Sequence, residues 1–578
     1  MDVGGIIMSN NVQGGPKAPK DPQKKRSGFY IMIDKMIEAT ARNNGKPSQD
    51  VYLDQGRLAS NANFIGGVEN KEILEYLNSW DGVRKIVHSV GICVNASEET
   101  GRIDFVFHNY GKKDAYGGGT IIKVPCTNDG VETVINLDDY EWSDNDDVVG
   151  MFAFEFEKPG LCAQTTVKIY LNDGYEVPEI EIDPPVDFNS ENYKNMISKS
   201  LLNIGNNRRL KAAIDKAQRG EDVTIAYIGG SITQGAGAKP INVNCYAHKS
   251  YEKFKDMFGK GNGDNVHFIK AGVGGTPSEL GMIRYDRDVL RDGTVKPDLV
   301  IVEFAVNDEG DETKGNCYES LIKTILSADN NPAVILLFAV FYDDWNLQER
   351  LSPVGRLYNL PMVSVSDAVV DQFKLSREEG NVITKRQYFY DVFHPTNDGH
   401  TIMADCIAYL FEETAKNPYD AEDISLDKKP AIGADFMNIH LIDKKDNNCN
   451  AEIEYGSFDE TDKDLQCVEM DTNFLGTMQF PYNWMHGKNS GDERFKLRIN
   501  SRSLLLVFKD SGSEEYGKAD VFVDGNLKIT LDPKEVGWTH CNAIILYQEE
   551  ICKEHKVEIK MAEDSTDKLF TILGFGYN

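Results

Sequence analysis

Five nearly continuous apolar runs in the middle of the chain constrain its fold more than any other feature. They read VTIAYIGG, NVHFIKAGV, DLVIVEFAV, AVILLFAVF and PMVSVSD, and segments with helical character such as SYEKFKDMFG lie between them. Strands that are apolar on both faces are typical of a parallel sheet covered by helices on both sides. The alternation therefore predicts a doubly wound α/β/α domain over residues 191–420, with its ligand site beyond the carboxyl ends of the strands.

Segments with strand signals flank this domain on both sides. Residues 29–190 contain short strands such as GRIDFVFHNY, and residues 421–578 contain KADVFVDGNLKITLD, in which VDGN is a hairpin signal. Short strands separated by turn residues predict a β-sandwich, of the jelly-roll kind, in each flank. Residues 1–28 are rich in Gly, Pro, Lys and Asn, so we expect a disordered tail. Helical spacing in FYIMIDKMIEATARN then predicts a short helix.

The charge balance restricts the partners of the protein. The chain has 578 residues, with 62 Lys and Arg against 92 Asp and Glu, and a formal net charge of −30. Such a surface repels nucleic acid and anionic membranes and favours a neutral or cationic ligand. The ten cysteines form no CxxC pair, so we expect neither a zinc motif nor a redox motif, and we expect free thiols in a reducing compartment.

Targeting signals are also missing from the sequence pattern. No apolar stretch reaches the length that spans a bilayer, and the N-terminal segment lacks the charged start and apolar core of a signal peptide. We therefore expect a cytoplasmic protein. The sequence is compatible with a homo-oligomer.

Four short segments place reactive or polar residues directly after four of the predicted strands. They are IGGSITQG with Ser231, KAGVGGTPSELG with Gly275, FAVND with Asn307, and DVFHP with Asp391 and His394. Each of these residues alone is more often part of a turn or a helix cap. Because the carboxyl ends of parallel strands converge at one edge of a sheet, their order along the chain favours a single catalytic site.

These segments resemble the conserved blocks of the SGNH, or GDSL-type, hydrolase superfamily. GGSIT resembles the serine block, GVGGT the glycine block, AVND the asparagine block and DVFHP the Asp-x-x-His block. Two positions depart from the usual pattern: the serine block reads Gly-Gly-Ser instead of Gly-Asp-Ser, and Ala305 stands where glycine is usual. Neither departure replaces a reacting group. The resemblance implies a flavodoxin-like central sheet.

The same resemblance implies a role for each residue. Ser231 becomes the nucleophile, and His394 and Asp391 the pair that activates it, because a serine hydroxyl is a weak nucleophile until a base removes its proton. The Ser231 and Gly275 N–H groups and the Asn307 amide become the donors that stabilise the oxyanion. This chemistry requires no metal and no cofactor.

The substrate is expected to be a carbohydrate ester. FYDDWNLQERLSPVGRLYNLPMVSVSDAV resembles the bacterial acetylxylan-esterase-like branch, and β-sandwiches often accompany sugar-directed catalytic domains. We expect the protein to remove O-acetyl groups from hemicellulose oligosaccharides, xylan or mannan, through an acyl-enzyme. Tyr285, Trp345 and Asn346 follow predicted strands and are candidate sugar contacts, with core packing as the alternative. Two other functions remain open: a lipid esterase or thioesterase, and a carbohydrate-binding protein with an inactive hydrolase domain.

Overall fold

The N-terminal part of the chain is built from strands with three short helices. The structure, a computed structural model, describes residues 26–42, 45–113, 118–178, 183–445, 451–473 and 475–578. The first elements are β1 (Arg26–Glu38), β2 (Ser48–Tyr52), α1 (Arg57–Phe64), α2 (Lys71–Tyr76), α3 (Trp80–Ile86), β3 (Val87–Asn95), β4 (Ile103–Gly111), β5 (Ile121–Cys126), β6 (Thr133–Asn136), β7 (Asp146–Glu155) and β8 (Cys162–Asn172).

These strands form two four-stranded antiparallel sheets, ordered β1–β8–β3–β6 and β2–β7–β4–β5. Side chains from both sheets, such as Tyr30 of β1 and Phe105 of β4, meet in one apolar core. Strand propensity and burial of alternate residues explain the arrangement. The jelly-roll topology and the exact domain boundaries stay predictions.

The prediction of a short helix in FYIMIDKMIEATARN is wrong, because the first part of this segment forms most of strand β1. It pairs antiparallel with β8 along nearly its whole length and buries Tyr30, Met32 and Ile37 completely. Tertiary pairing overrides the local helical spacing. The predicted disordered tail also ends too late, since β1 begins at Arg26; residues 1–25 lie outside the described residues.

The middle of the chain alternates strand and helix. Its elements are α4 (Glu191–Ser198), β9 (Leu201–Asn203), α5 (Arg208–Arg219), β10 (Val223–Gly229), α6 (Ser231–Gln234), α7 (Ile241–Asn244), α8 (Tyr246–Phe258), β11 (Val266–Gly272), α9 (Ser278–Asp288), β12 (Leu299–Glu303), α10 (Asn316–Leu326), β13 (Ala333–Phe338), α11 (Gln348–Tyr358), β14 (Met362–Ser364), α12 (Val365–Val369), α13 (Lys385–Tyr388) and α14 (Asn397–Lys416).

The predicted parallel sheet is confirmed. Its order is β11–β10–β12–β13–β14–β9, in which β10 to β14 run parallel and β9 is an antiparallel edge. Each of the five apolar runs supplies one parallel strand. On β12, Leu299 and Ile301 face one core while Val300 and Val302 face another, so both surfaces of the sheet are covered. The strand order reverses beside β10, and this is where a parallel sheet opens a ligand crevice.

The C-terminal part is again antiparallel. Its strands are β15 (His440–Ile442), β16 (Ala451–Glu454), β17 (Cys467–Val468), β18 (Thr477–Met478), β19 (Trp484–His486), β20 (Phe495–Asp510), β21 (Ala519–Val523), β22 (Asn526–Leu531), β23 (His540–Met561) and β24 (Phe570–Tyr577).

Eight of these strands join one sheet, in which β20 and β23 are the longest, while β17 and β18 form a separate ladder. The hairpin predicted from VDGN is confirmed between β21 and β22. Its central residues Asp524 and Gly525 have φ values of 51° and 81°, as a tight hairpin turn requires. Among the described residues, no helix combines the length and the apolar character needed to cross a bilayer.

Candidate active site

Ser231 is the first residue of α6 and directly follows the central strand β10. The glycines before it are required by close packing. A Cβ atom on Gly229 would lie 2.4 Å from the Glu303 carbonyl oxygen, and one on Gly230 would lie 2.2 Å from Asn307 Oδ1. No side chain fits at either position unless its neighbours move, so the two glycines allow this close packing. The chain passes here from β10 directly into α6, and Ser231 therefore lies at the carboxyl edge of the sheet.

His394 and Asp391 lie on the loop between α13 and α14 and reach the same edge. His394 Nε2 lies 2.9 Å from Ser231 Oγ, and His394 Nδ1 lies 2.9 Å from each carboxylate oxygen of Asp391. The loop is itself fixed, since Asp391 Oδ1 accepts the backbone N–H groups of Phe393 and His394 at 2.8 and 2.9 Å. The three side chains thus form a hydrogen-bonded chain from carboxylate to hydroxyl.

The charge on Asp391 decides which nitrogen of His394 carries the proton. Burial acts to raise the pKa of Asp391, but His394, Lys35 and the Phe393 N–H outweigh it and lower the pKa to about 2. Asp391 is therefore a carboxylate at neutral pH and accepts a hydrogen bond from the His394 Nδ1–H group. The Nε2 atom is left free to accept the proton of Ser231, as general-base chemistry requires.

Three potential hydrogen-bond donors lie beside the hydroxyl. A Cβ atom on Gly274 would lie 3.7 Å from Ser231 Cβ, so the segment that contains Gly274 and Gly275, here called the glycine loop, borders Ser231. Within the described residues, the N–H groups of Ser231 and Gly275 have no acceptor, while that of Gly274 donates to Gln234 Oε1 at 3.0 Å. The Asn307 side chain lies against Gly230, and its Oδ1 is buried with no partner. This arrangement offers Ser231, Gly275 and Asn307 to an oxyanion.

The three residues predicted to contact sugar lie in different environments. The prediction is wrong for Tyr285, which is only 5% exposed because α9 turns it into the core beside the sheet. The alternative of core packing applies to this residue. Trp345 is partly buried and stacks on Phe341, whose ring contacts Phe393 at 5.1 Å between centroids. The Asn346 amide fixes its own loop by donating to the Ala339 carbonyl at 3.0 Å.

Residues of the flanking parts also reach the site, and the sequence analysis missed them. Gln466 and His540 of the C-terminal part bind the carbonyl oxygens of the glycine loop. From the N-terminal part, the Arg57 guanidinium lies 5.9 Å from the Phe393 ring and the Lys35 ammonium lies 3.6 Å from the Tyr390 ring. None belongs to a recognisable motif, because these contacts exist only once the parts of the chain have docked.

A cavity of about 470 Å³ lies beside the glycine loop. All three parts of the chain line it: Arg42 and Tyr52 come from the N-terminal part, Gly274 from the centre, and Trp538 from the C-terminal part. A volume of this size accommodates a small organic ligand or a short oligosaccharide segment. Aromatic rings beside polar groups are suited to sugar rings, which have apolar faces and hydroxyl edges.

One buried cluster among the described residues has the composition of a metal site. Ligand atoms of Glu279, Asp311 and Cys317 lie within 4.8 Å of one another. Burial, together with Asp311, raises the pKa of Glu279 to about 9, so its carboxyl group is protonated at neutral pH. The chemistry at Ser231 uses none of these groups.

Comparison with known proteins agrees with this geometry. The GDSL-like Lipase/Acylhydrolase family matches residues 227–402, a range that includes Ser231, Gly275, Asn307, Asp391 and His394. Comparison with curated proteins gave no match.

Two solved structures are similar over the same share of the chain. They are the crystal structure of a two-domain esterase (CEX) active on acetylated mannans and its counterpart co-crystallised with mannopentaose. In both cases the TM-score is 0.56 and the identity 26%; the match covers 66% of this chain and 98% or 97% of the other. The central part of the chain is therefore an SGNH hydrolase domain of the GDSL-like type, in a protein that resembles carbohydrate esterases.

Proposed function

We propose that the protein is a serine esterase that removes O-acetyl groups from acetylated hemicellulose oligosaccharides. Mannan fragments are the favoured substrate and xylan fragments the second choice. The observation that carries the proposal is the hydrogen-bonded chain Ser231–His394–Asp391 at the carboxyl edge of the sheet. The preference for mannan rests on the likeness to an esterase described as active on acetylated mannans.

The first half of the reaction forms an acyl-enzyme. Ser231 Oγ attacks the acetyl carbonyl carbon while its proton moves to His394 Nε2, and the carbonyl oxygen becomes an oxyanion facing Gly275 and Asn307. The tetrahedral intermediate then collapses. The bond from the acetyl carbon to the sugar oxygen breaks, and this oxygen takes the proton from His394 and leaves as a hydroxyl group.

The second half repeats these steps with water. His394 Nε2 removes a proton from a water molecule, whose oxygen attacks the acetyl carbon bound to Ser231. The second oxyanion faces the same donors. On collapse, Ser231 Oγ regains its proton from His394, and acetic acid leaves and ionises to acetate in solution. Asp391 keeps its negative charge throughout and stabilises the imidazolium that forms twice in each turnover.

Charge and shape support a neutral sugar substrate. A chain with a net charge of −30 disfavours anionic substrates such as phospholipids, whereas acetylated oligosaccharides carry no charge. The cavity beside Gly274 also has the mixed aromatic and polar lining that suits a sugar, with Tyr52 and Trp538 among its residues.

Acetate release followed by NMR tests the proposal. Acetylated manno-oligosaccharides and xylo-oligosaccharides are incubated with the wild type and with Ser231→Ala. We expect acetate from the wild type only, and faster from mannan fragments. A p-nitrophenyl ester series from acetate to octanoate completes the test. A preference for long acyl chains would favour a lipid esterase, and binding of oligosaccharide without any acetate release would favour a carbohydrate-binding protein.

A further inference from the structure

We infer that three residues of the C-terminal part, Gln466, Glu469 and His540, position the oxyanion donor Gly275. We call this set the glycine clamp. The inference rests on the proposed function, and it assigns the C-terminal part a catalytic contribution in addition to any role in binding sugar. The clamp residues do not touch the reacting atoms, so they are positioning residues.

The first contact fixes the peptide unit that carries the donor. Gln466 Nε2 donates to the Gly274 carbonyl oxygen at 2.8 Å, and this carbonyl belongs to the same peptide unit as the Gly275 N–H. Because a trans peptide is planar, its C=O and N–H groups point in opposite directions. Holding the carbonyl toward Gln466 therefore turns the N–H toward the opposite side.

The orientation of the Gln466 amide is fixed as well. Its Oε1 accepts the backbone N–H of Cys541 at 3.1 Å, so Nε2 is the atom that faces Gly274. The side chain is only 8% exposed, and water has little access to replace it. A hydrogen bond to a carbonyl also polarises its peptide and strengthens the N–H as a donor. Gln466 thus supports both the direction and the strength of the Gly275 donor.

The second contact joins the glycine loop to the helix of the nucleophile. The Gly274 N–H donates to Gln234 Oε1 at 3.0 Å, and Gln234 Nε2 donates to Glu469 Oε2 at 2.6 Å. Gln234 lies on α6, the helix that begins at Ser231. Glu469 therefore holds the side chain that sets the distance between the nucleophile and the oxyanion donor.

The third contact lies on the other side of Gly275. His540 Nε2 donates to the Gly275 carbonyl oxygen at 3.1 Å, and burial lowers the pKa of His540 to about 4, so the ring is neutral at pH 7. Gly275 has a φ of +73°, and a Cβ atom there would lie 2.8 Å from the Trp538 ring. The loop is thus a glycine loop in part because C-terminal residues pack directly on it.

Gln466→Glu tests the clamp with a side chain of the same size. A carboxylate still accepts the Cys541 N–H but cannot donate to the Gly274 carbonyl. We expect kcat for p-nitrophenyl acetate to fall about tenfold to a hundredfold, part of the loss that follows removal of a whole oxyanion donor, with KM within about twofold. Glu469→Leu, whose side chain cannot accept a hydrogen bond from Gln234 Nε2, should show a smaller fall in kcat.

A second readout depends on the oxyanion donors directly. In the reaction with diethyl p-nitrophenyl phosphate, Ser231 Oγ gives its proton to His394 Nε2 and bonds to phosphorus while p-nitrophenolate leaves. The phosphoryl oxygen occupies the oxyanion position. We expect the rate of this labelling to fall in Gln466→Glu by the same factor as kcat. The matched control is Gln548→Glu on β23, where the side chain is exposed, and it should behave as the wild type.

The outcomes separate the two hypotheses. If Gln466→Glu and Glu469→Leu are both labelled at the wild-type rate, the glycine clamp is refuted whatever their melting temperatures. If Gln466→Glu does not fold, the labelling rate of Glu469→Leu alone decides, and an unchanged rate refutes the clamp. If the wild type itself is not labelled at Ser231, the proposed esterase function is refuted, and the glycine clamp, which rests on it, is refuted with it.

Discussion

His394 Nε2 lies 2.9 Å from Ser231 Oγ, although 163 positions separate the two residues in the sequence. This distance is that of a hydrogen bond, so proton transfer from the hydroxyl to the imidazole needs no rearrangement of the protein. The other ring nitrogen, Nδ1, is hydrogen-bonded to the Asp391 carboxylate. This carboxylate also accepts the backbone N–H of Phe393, and this contact fixes the loop. The proton path is therefore built before a substrate arrives.

Asp391→Asn should lower kcat by about ten thousandfold with little change in KM. An asparagine amide donates to His394 Nδ1, which forces the proton onto Nε2 and removes the base for Ser231. The measurement is p-nitrophenyl acetate hydrolysis. Asp371→Asn serves as the control, since that carboxylate is 69% exposed. Activity of Asp391→Asn within tenfold of the wild type would remove Asp391 from the proton path.

Asn307→Ala should lower kcat by about a hundredfold to a thousandfold, because the proposed oxyanion site loses one of its three donors. KM should change little, since the donor acts on charge that develops only in the transition state. The variant is compared with the wild type by steady-state kinetics on p-nitrophenyl acetate, with Asn500→Ala on the exposed side of β20 as the matched control. Wild-type turnover in Asn307→Ala would exclude the amide from the oxyanion site.

The central sheet and the triad could be predicted because their signals are local. Each parallel strand is apolar on both faces, a pattern that is visible within one run of residues. Each reactive side chain directly follows a strand, and parallel strands bring their carboxyl ends to one edge. Ser231, Asp391 and His394 could thus be placed together without knowing a single long-range contact.

The features that could not be predicted from the sequence depend on contacts between distant segments of the chain. The helical spacing in FYIMIDKMIEATARN gives way to strand β1, because β8 lies beside it and pairs with it. Gln466 binds Gly274, which lies 192 positions away in the sequence, and no residue pattern near Gln466 predicts this contact. The position of Tyr285 after a strand predicts a site residue, but α9 turns its side chain into the core.

Tyr285→Phe should leave KM and kcat for acetylated oligosaccharides within about twofold of the wild type. The side chain is 5% exposed and packs in the core, so little of it is available for contact with a sugar in the crevice. Kinetics with acetylated manno-oligosaccharides provide the measurement, and Ser231→Ala provides the blank. A rise in KM of tenfold or more would restore Tyr285 as a sugar contact.

Glu303→Gln should change the pH dependence of stability. Glu303 is fully buried at the end of β12, and its Oε2 accepts a hydrogen bond from the Thr233 hydroxyl at 3.0 Å. Burial raises the pKa of Glu303 to about 7, although hydrogen bonds from Thr233 and Gly230 act to lower it. In the unfolded chain the same group loses its proton near pH 4.5, so the folded state binds more protons between pH 4.5 and 7. Its contribution to stability is therefore complete below pH 4.5 and is lost as the pH rises toward 7.

A glutamine at position 303 cannot ionise and does not carry this penalty. The free energy of unfolding of Glu303→Gln, relative to the wild type, should thus increase by about 1.4 kcal/mol per pH unit between pH 4.5 and 7. Urea unfolding of both proteins at pH 5 and pH 7 measures the difference, and Glu378→Gln, at an exposed position, is the matched control. An equal difference at the two pH values would mean that Glu303 ionises in the folded protein as readily as in the unfolded chain.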